Sequence, residues 1–129
     1  MAAFACSACG LEITRDLEVL EEPPDPPEEL LGHSGDDWVP AGRYLRDAGP
    51  WTNLAEVEAG PIVNEADLVN TLAHSDRARW TDGCCGTAGL FGPNVVCMNG
   101  HEVATKIYDC YTLNGIWLLP GATMVIGGV

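Results

Sequence analysis

The residues in this chain best suited to chemistry are its six cysteines and three histidines. Two cysteines open the chain as Cys6-Ser7-Ala8-Cys9-Gly10. Two more stand side by side in Gly83-Cys84-Cys85-Gly86, and Cys97 and Cys110 follow singly. Thiols separated by two residues can be turned inward from one tight turn. A glycine after the second frees the backbone to aim its amides at the sulfurs. Four such donors make a closed structural zinc site, whereas in an exported protein the same cysteines would suggest disulfides. The N-terminus, "MAAFACSACG", has no basic stretch ahead of its apolar residues and does not read as an export signal. That favours a cytoplasmic setting, where thiols stay reduced and clustered cysteines bind metal.

The Cys6–Gly10 stretch resembles the knuckle of zinc ribbons and rubredoxin-like domains. The likeness covers these five residues and implies a bound Zn²⁺ with Cys6 and Cys9 among its ligands. No second C-x-x-C completes the pattern, and two ligand sets fit the remaining sulfurs. Cys84 and Cys85 could both join Cys6 and Cys9, because glycine on each side lets a tight turn aim both sulfurs one way. Alternatively Cys97 joins with one of the pair, and Cys85 is favoured because Gly86 follows it as Gly10 follows Cys9. Either set ties the N-terminus to the C-terminal third of the chain.

The elements that must hold these groups are clearest near the C-terminus. There "PNVVCM-NG-HEVATKIYDCYTL-NG-IWLLP" carries two Asn-Gly pairs, each flanked by β-prone residues. Asn-Gly suits a two-residue hairpin turn because both residues tolerate positive φ. The pattern predicts an antiparallel meander over about 94–119, with "TMVIG" as a fourth strand. A two-residue loop at Asn99-Gly100 makes Met98 face His101 and Cys97 face Glu102. Cys97 and His101 then project from opposite faces, which argues against His101 as a ligand. Cys110 falls eight residues past Glu102, roughly 26 Å along a regular strand, and reads as a small buried hydrophobe.

Upstream, the first twenty residues read as two extended pieces joined by a turn at Cys6–Gly10. Residues 21–29, "EEPPDPPEE", read as an exposed acidic loop of polyproline character. Asn64 can cap a short helix over about 65–74, in which Leu68, Val69, Leu72 and Ala73 share a face. The fold class that follows is α+β, mainly antiparallel β with that one helix and a zinc knuckle, in a single domain spanning 1–129.

Charge narrows the function. The net charge of −13, with six basic residues in all, speaks against a nucleic-acid phosphate binder. Residues 1–40 hold ten of the nineteen acids and a single basic residue, Arg15, and so offer an acidic face to a basic protein partner. No apolar run reaches the ~18 residues of a membrane span. Enzyme signatures fail one by one. His101-Glu102 begins like H-E-x-x-H but meets Thr105 at the fifth place. The C-x-x-C of a zinc deaminase would follow its His-Glu segment, and here it opens the chain. A thioredoxin-like pair would need a helix after Cys9, which Gly10, Ile13, Thr14 and Val19 do not favour. The expectation is a non-enzymatic interaction protein held by structural zinc; the alternative is a zinc- or thiol-dependent enzyme.

Overall fold

The structure is a computed structural model that describes residues 1–24, 37–47, 60–83, 86–109 and 113–127. Among the described residues nine strands run in chain order: β1 (Ala3–Cys6), β2 (Glu18–Val19), β3 (Arg43–Leu45), β4 (Ile62–Val63), β5 (Thr71–Ala73), β6 (Val95–Cys97), β7 (Glu102–Ile107), β8 (Gly115–Leu118) and β9 (Thr123–Ile126). Seven form one sheet in the order β2-β3-β4-β8-β7-β6-β5, antiparallel throughout except for β2 beside β3. The N-terminal β1 pairs antiparallel with β9, so that Cys6 faces Thr123 and Ala3 faces Ile126.

Both faces of the large sheet are covered, so its central strands are apolar at consecutive positions. On one face Val63, Ile116, Leu118, Val95 and Cys97 pack against Phe4, Cys6, Ile13 and Leu17 of the N-terminal segment. On the other, Ile62, Trp117, Ile107 and Leu45 pack with Trp38, Val39 and Leu113. Neighbours such as Ile62 and Val63, or Ile116 and Trp117, divide between the two cores, as the two-residue period of a strand requires.

The architecture corrects the α+β expectation. It is mostly β, and no helix of seven or more residues occurs among the described residues. Asn64 does cap a helical turn, with Oδ1 accepting from the Ala66 amide at 2.8 Å, but only Glu65–Asp67 is helical and the turn is 3-10. Tertiary bonds stop it. The buried Asp67 carboxylate accepts from the Gly42 amide at 2.7 Å, and its carbonyl accepts from the Arg15 amide. The Val69 amide donates to Ile13, and Asn70 takes φ +54, after which residues 71–73 enter the sheet edge as β5. Backbone groups claimed by the N-terminal segment cannot close a helical ladder, and neither Val69 nor Thr71 strongly favours one.

The second Asn-Gly pair is also used differently. Gly115 lies inside β8 opposite Ile107, and neither Asn114 nor Gly115 has positive φ. The link from β7 to β8 is therefore longer than a two-residue turn. Residues 25–29 of the acidic proline-rich stretch lie outside the described residues. No helix among the described residues is long and apolar enough to cross a membrane.

Candidate metal centre

Two loops meet where the N-terminal layer covers the large sheet. The first follows β1. Its Gly10 amide donates back to the Cys6 carbonyl at 2.7 Å, and the Cys6 amide donates to Leu11 at 2.9 Å. Gly10 sits at φ +77, a conformation glycine adopts without the Cβ clash other residues meet. The second loop joins β6 to β7. The Gly100 amide donates to the Cys97 carbonyl, and the Cys97 amide to the His101 carbonyl, both at 2.8 Å. Met98, Asn99 and Gly100 thus form a three-residue hairpin loop with Gly100 in the left-handed region at φ +87.

That extra loop residue corrects the expectation for His101. With three residues in the loop rather than two, Cys97 faces His101 directly, as the pairing of Val96 with Glu102 requires. A one-residue change of register moves a side chain to the other face of a strand. The Sγ atoms of Cys6, Cys9 and Cys97 and a ring nitrogen of His101 all lie within 4.8 Å of one another, and this group could hold a metal ion. Cys84, Cys85 and Cys110 lie outside the described residues.

The spacing fits a tetrahedral ion. Zn–S bonds of about 2.3 Å and a Zn–N bond of about 2.0 Å set sulfurs about 3.8 Å apart and sulfur about 3.5 Å from nitrogen. Cys9 and Cys97 Sγ are 3.9 Å apart, and Cys97 Sγ lies 3.4 Å from His101 Nδ1. The pocket is half in the core. Cys6 and Cys97 are buried, while Cys9 and His101 reach the surface.

Hydrogen-bond donors surround the sulfurs. The Ala8 and Cys9 amides face Cys6, the Leu11 amide faces Cys9, and the Asn99 and His101 amides face Cys97. Asn99 Nδ2 donates to Cys9 Sγ at 3.3 Å, across the gap between the loops. Asn70 holds the loops in register from the side. Its Nδ2 donates to the Glu12 carbonyl at 2.9 Å, and its own carbonyl accepts from the Met98 amide at 3.0 Å. Such outer contacts orient ligands and spread the negative charge of thiolates. Neither asparagine was singled out by sequence, because the helix expectation absorbed Asn70 and the turn expectation absorbed Asn99.

Without metal, the four groups titrate unequally. Burial pushes the Cys6 thiol up against the pull of the Cys9 and Ala8 amides. Burial also opposes ionisation of Cys97, but the amide donors of His101 and Asn99 and the His101 ring outweigh it, leaving that thiol below its usual range. Cys97 and then Cys9 raise His101 by favouring the imidazolium. Cys9 is held at about 6, first by the Asn99 side chain and then by the Leu11 amide. A pKa depressed on folding stabilises the folded chain above the unfolded value and loses that contribution as pH falls through the folded one. In metal-free protein, ultraviolet thiolate absorbance should therefore show one thiol titrating near pH 6, and Asn99→Ala should move that step upward.

The two glycines should be sensitive for conformational rather than spatial reasons. A Cβ at Gly10 or Gly100 would meet nothing within 4 Å, yet both lie at positive φ. Gly100→Ala should cost about 1–2 kcal/mol in denaturant unfolding of the metal-free chain, the usual penalty of the left-handed region. Ser7→Ala, in the same pair of loops but without that constraint, should stay within about 0.5 kcal/mol.

Comparisons of the chain with protein-family models, with curated proteins and with solved structures gave no match. The class that fold and site define is therefore a β domain carrying a Cys₃His cluster able to hold a metal.

Proposed function

We propose that this protein is a non-enzymatic interaction domain whose Cys₃His centre binds one structural Zn²⁺. The observation that carries the reading is the convergence of Cys6, Cys9, Cys97 and His101 within 4.8 Å. Three thiolates and one imidazole are a donor set that suits Zn²⁺ and disfavours the oxygen-seeking Mg²⁺ and Ca²⁺. Four protein ligands close a tetrahedral sphere, whereas catalytic zinc keeps one position for water or substrate. The centre's place also fits a fastening role. It joins strand β1 to the β6–β7 hairpin, linking residues 88 apart in sequence between Cys9 and Cys97. A link across so long a loop restricts the unfolded chain strongly.

The net charge of −13 supports the interaction half of the reading, because an acidic surface steers basic proteins toward it. The experiment is metal analysis of variants. If Cys6, Cys9, Cys97 and His101 make the whole sphere, Cys84→Ser and Cys85→Ser should each retain one zinc per chain, while His101→Ala loses or sharply weakens it. Loss of zinc from either serine variant, with His101→Ala keeping it, would refute this ligand set.

A further inference from the structure

The large sheet ends at β5, and this edge differs from the opposite one. The far strand, β2, carries the exposed Glu18, whereas β5 is Thr-Leu-Ala with no charge, proline or bulge to discourage pairing. The ladder fixes which backbone groups are free. Met98 donates to the Asn70 carbonyl and His74 donates to the Asn94 carbonyl, so Asn70, Leu72 and His74 direct their backbone groups toward β6. Antiparallel pairs alternate, so the N–H and C=O groups of Thr71 and Ala73 point away from the sheet. Leu72 and Ala73 are exposed, which leaves that edge open.

Both sides of the edge present apolar groups, mixed on the cleft side with Glu65, Asn94 and Lys106. On the side of the N-terminal layer, Thr71 and Ala73 border a cleft of about 370 Å³ whose walls include Leu68, Val95 and Trp80. That volume lies within the range of ordinary ligand pockets. On the opposite face Leu72, 53% exposed, stands across from Val96, and Met98, 58% exposed, lies two residues further along the chain, at the start of the loop after β6. Charges near the edge are already matched. Glu65 pairs with Lys106, and Glu102 with His74 and Arg79, which also meets Asp76. Arg77 is exposed and stacks over Trp80 at the cleft rim, with no carboxylate within salt-bridge distance among the described residues.

We infer that β5 is a docking edge for an extended segment of a partner protein, which adds as an eighth strand. Its backbone pairs with Thr71 and Ala73. Its alternate side chains fall into the cleft and over Leu72 and Met98, so both sets are apolar at the centre. A carboxylate at the end nearest Trp80 meets Arg77. This is strand addition, in which main-chain bonds supply affinity and flanking pockets supply selectivity. A second copy of this chain is the poorer occupant, because pairing two bodies of charge −13 adds repulsion that a partner of opposite overall charge would not bring. The inference names a surface for the interaction role and is independent of the metal, whose content is followed separately in every arm.

The test pans a random heptapeptide phage library on zinc-loaded protein and measures the enriched peptides as fluorescent synthetic probes. The expected peptides are apolar at alternate central positions with an acidic residue at one end. N-methylation of the amides that face β5 should weaken binding about tenfold or more, and methylation of the alternate amides should leave it unchanged. Amide exchange at Thr71 and Ala73 should slow in the complex. Arg77→Glu should weaken acid-bearing probes, and Leu72→Lys all of them, with zinc content unaltered. Failure to enrich any peptide, or binding indifferent to N-methylation at every position, would overturn the inference. So would sedimentation as a dimer that Leu72→Lys dissociates, since the occupant would then be a second copy.

Discussion

Cys9→Ser should lower the melting temperature of the zinc-loaded protein by about 15 °C and leave the metal-free protein almost unchanged. The asymmetry follows from where Cys9 sits. Its side chain is exposed and fills no space in either core, so the metal-free chain loses only the Asn99 contact and the solvent-screened stabilisation of a thiolate held low. Surface substitutions of that kind stay within about 0.5 kcal/mol. With zinc a thousandfold above its dissociation constant, binding to the folded state alone contributes about 4 kcal/mol. For a domain of this size each kcal/mol moves the midpoint by roughly 4 °C. Melting curves of both proteins, recorded with zinc and with chelator, check this. They should separate widely in zinc and converge in chelator. An equal gap in both conditions would mean that Cys9 acts through packing and not through metal.

Phe4→Ala should show the opposite pattern, with a large loss in both conditions and zinc retained by the folded fraction. Phe4 is buried in β1 among Cys6, Ile13, Leu17, Val95 and Ile116. Its ring meets Tyr44 edge-on at 5.2 Å between centroids, with the planes at 81°. Truncating such a ring to a methyl group removes its burial and leaves a cavity, at a cost of about 3–5 kcal/mol. That corresponds to roughly 10–20 °C with or without zinc. Zinc should still bind at one per chain below the lowered midpoint, because Phe4 contributes no ligand atom. Comparing the two variants separates what the core contributes from what the centre contributes. A Phe4→Ala protein that melts normally in chelator would contradict the packing of the N-terminal segment on the sheet.

Some of this was legible in the residues. Cys6, Cys9 and Gly10 mark their own turn, since a glycine that must adopt positive φ leaves a local trace. A link between the N-terminus and Cys97 was one of two ligand sets the residues left open, the other using Cys84 and Cys85 in its place. What failed was register. Asn99-Gly100 signals a hairpin, but the loop took three residues instead of two, and that single residue decides whether His101 faces Cys97. Sequence fixes loop length only weakly where neighbouring backbone, here the Met98 amide bonded to Asn70, holds the loop in place. The helix over 65–74 failed for a related reason. Its cap is present, but the backbone bonds that would extend it go to Ile13 and Arg15, more than fifty residues away in sequence. Pairing of β1 with β9 joins the two ends of the chain and leaves no local pattern to read.

The central claim is a closed Cys₃His zinc centre, and X-ray absorption at the zinc edge of the purified protein tests it most directly. The predicted result is one zinc per chain with three sulfurs at about 2.3 Å and one imidazole nitrogen at about 2.0–2.1 Å, the normal distances for these ligands. Four sulfurs, a water oxygen in the shell, or folded protein that neither carries zinc nor takes it up when zinc is supplied would each contradict it.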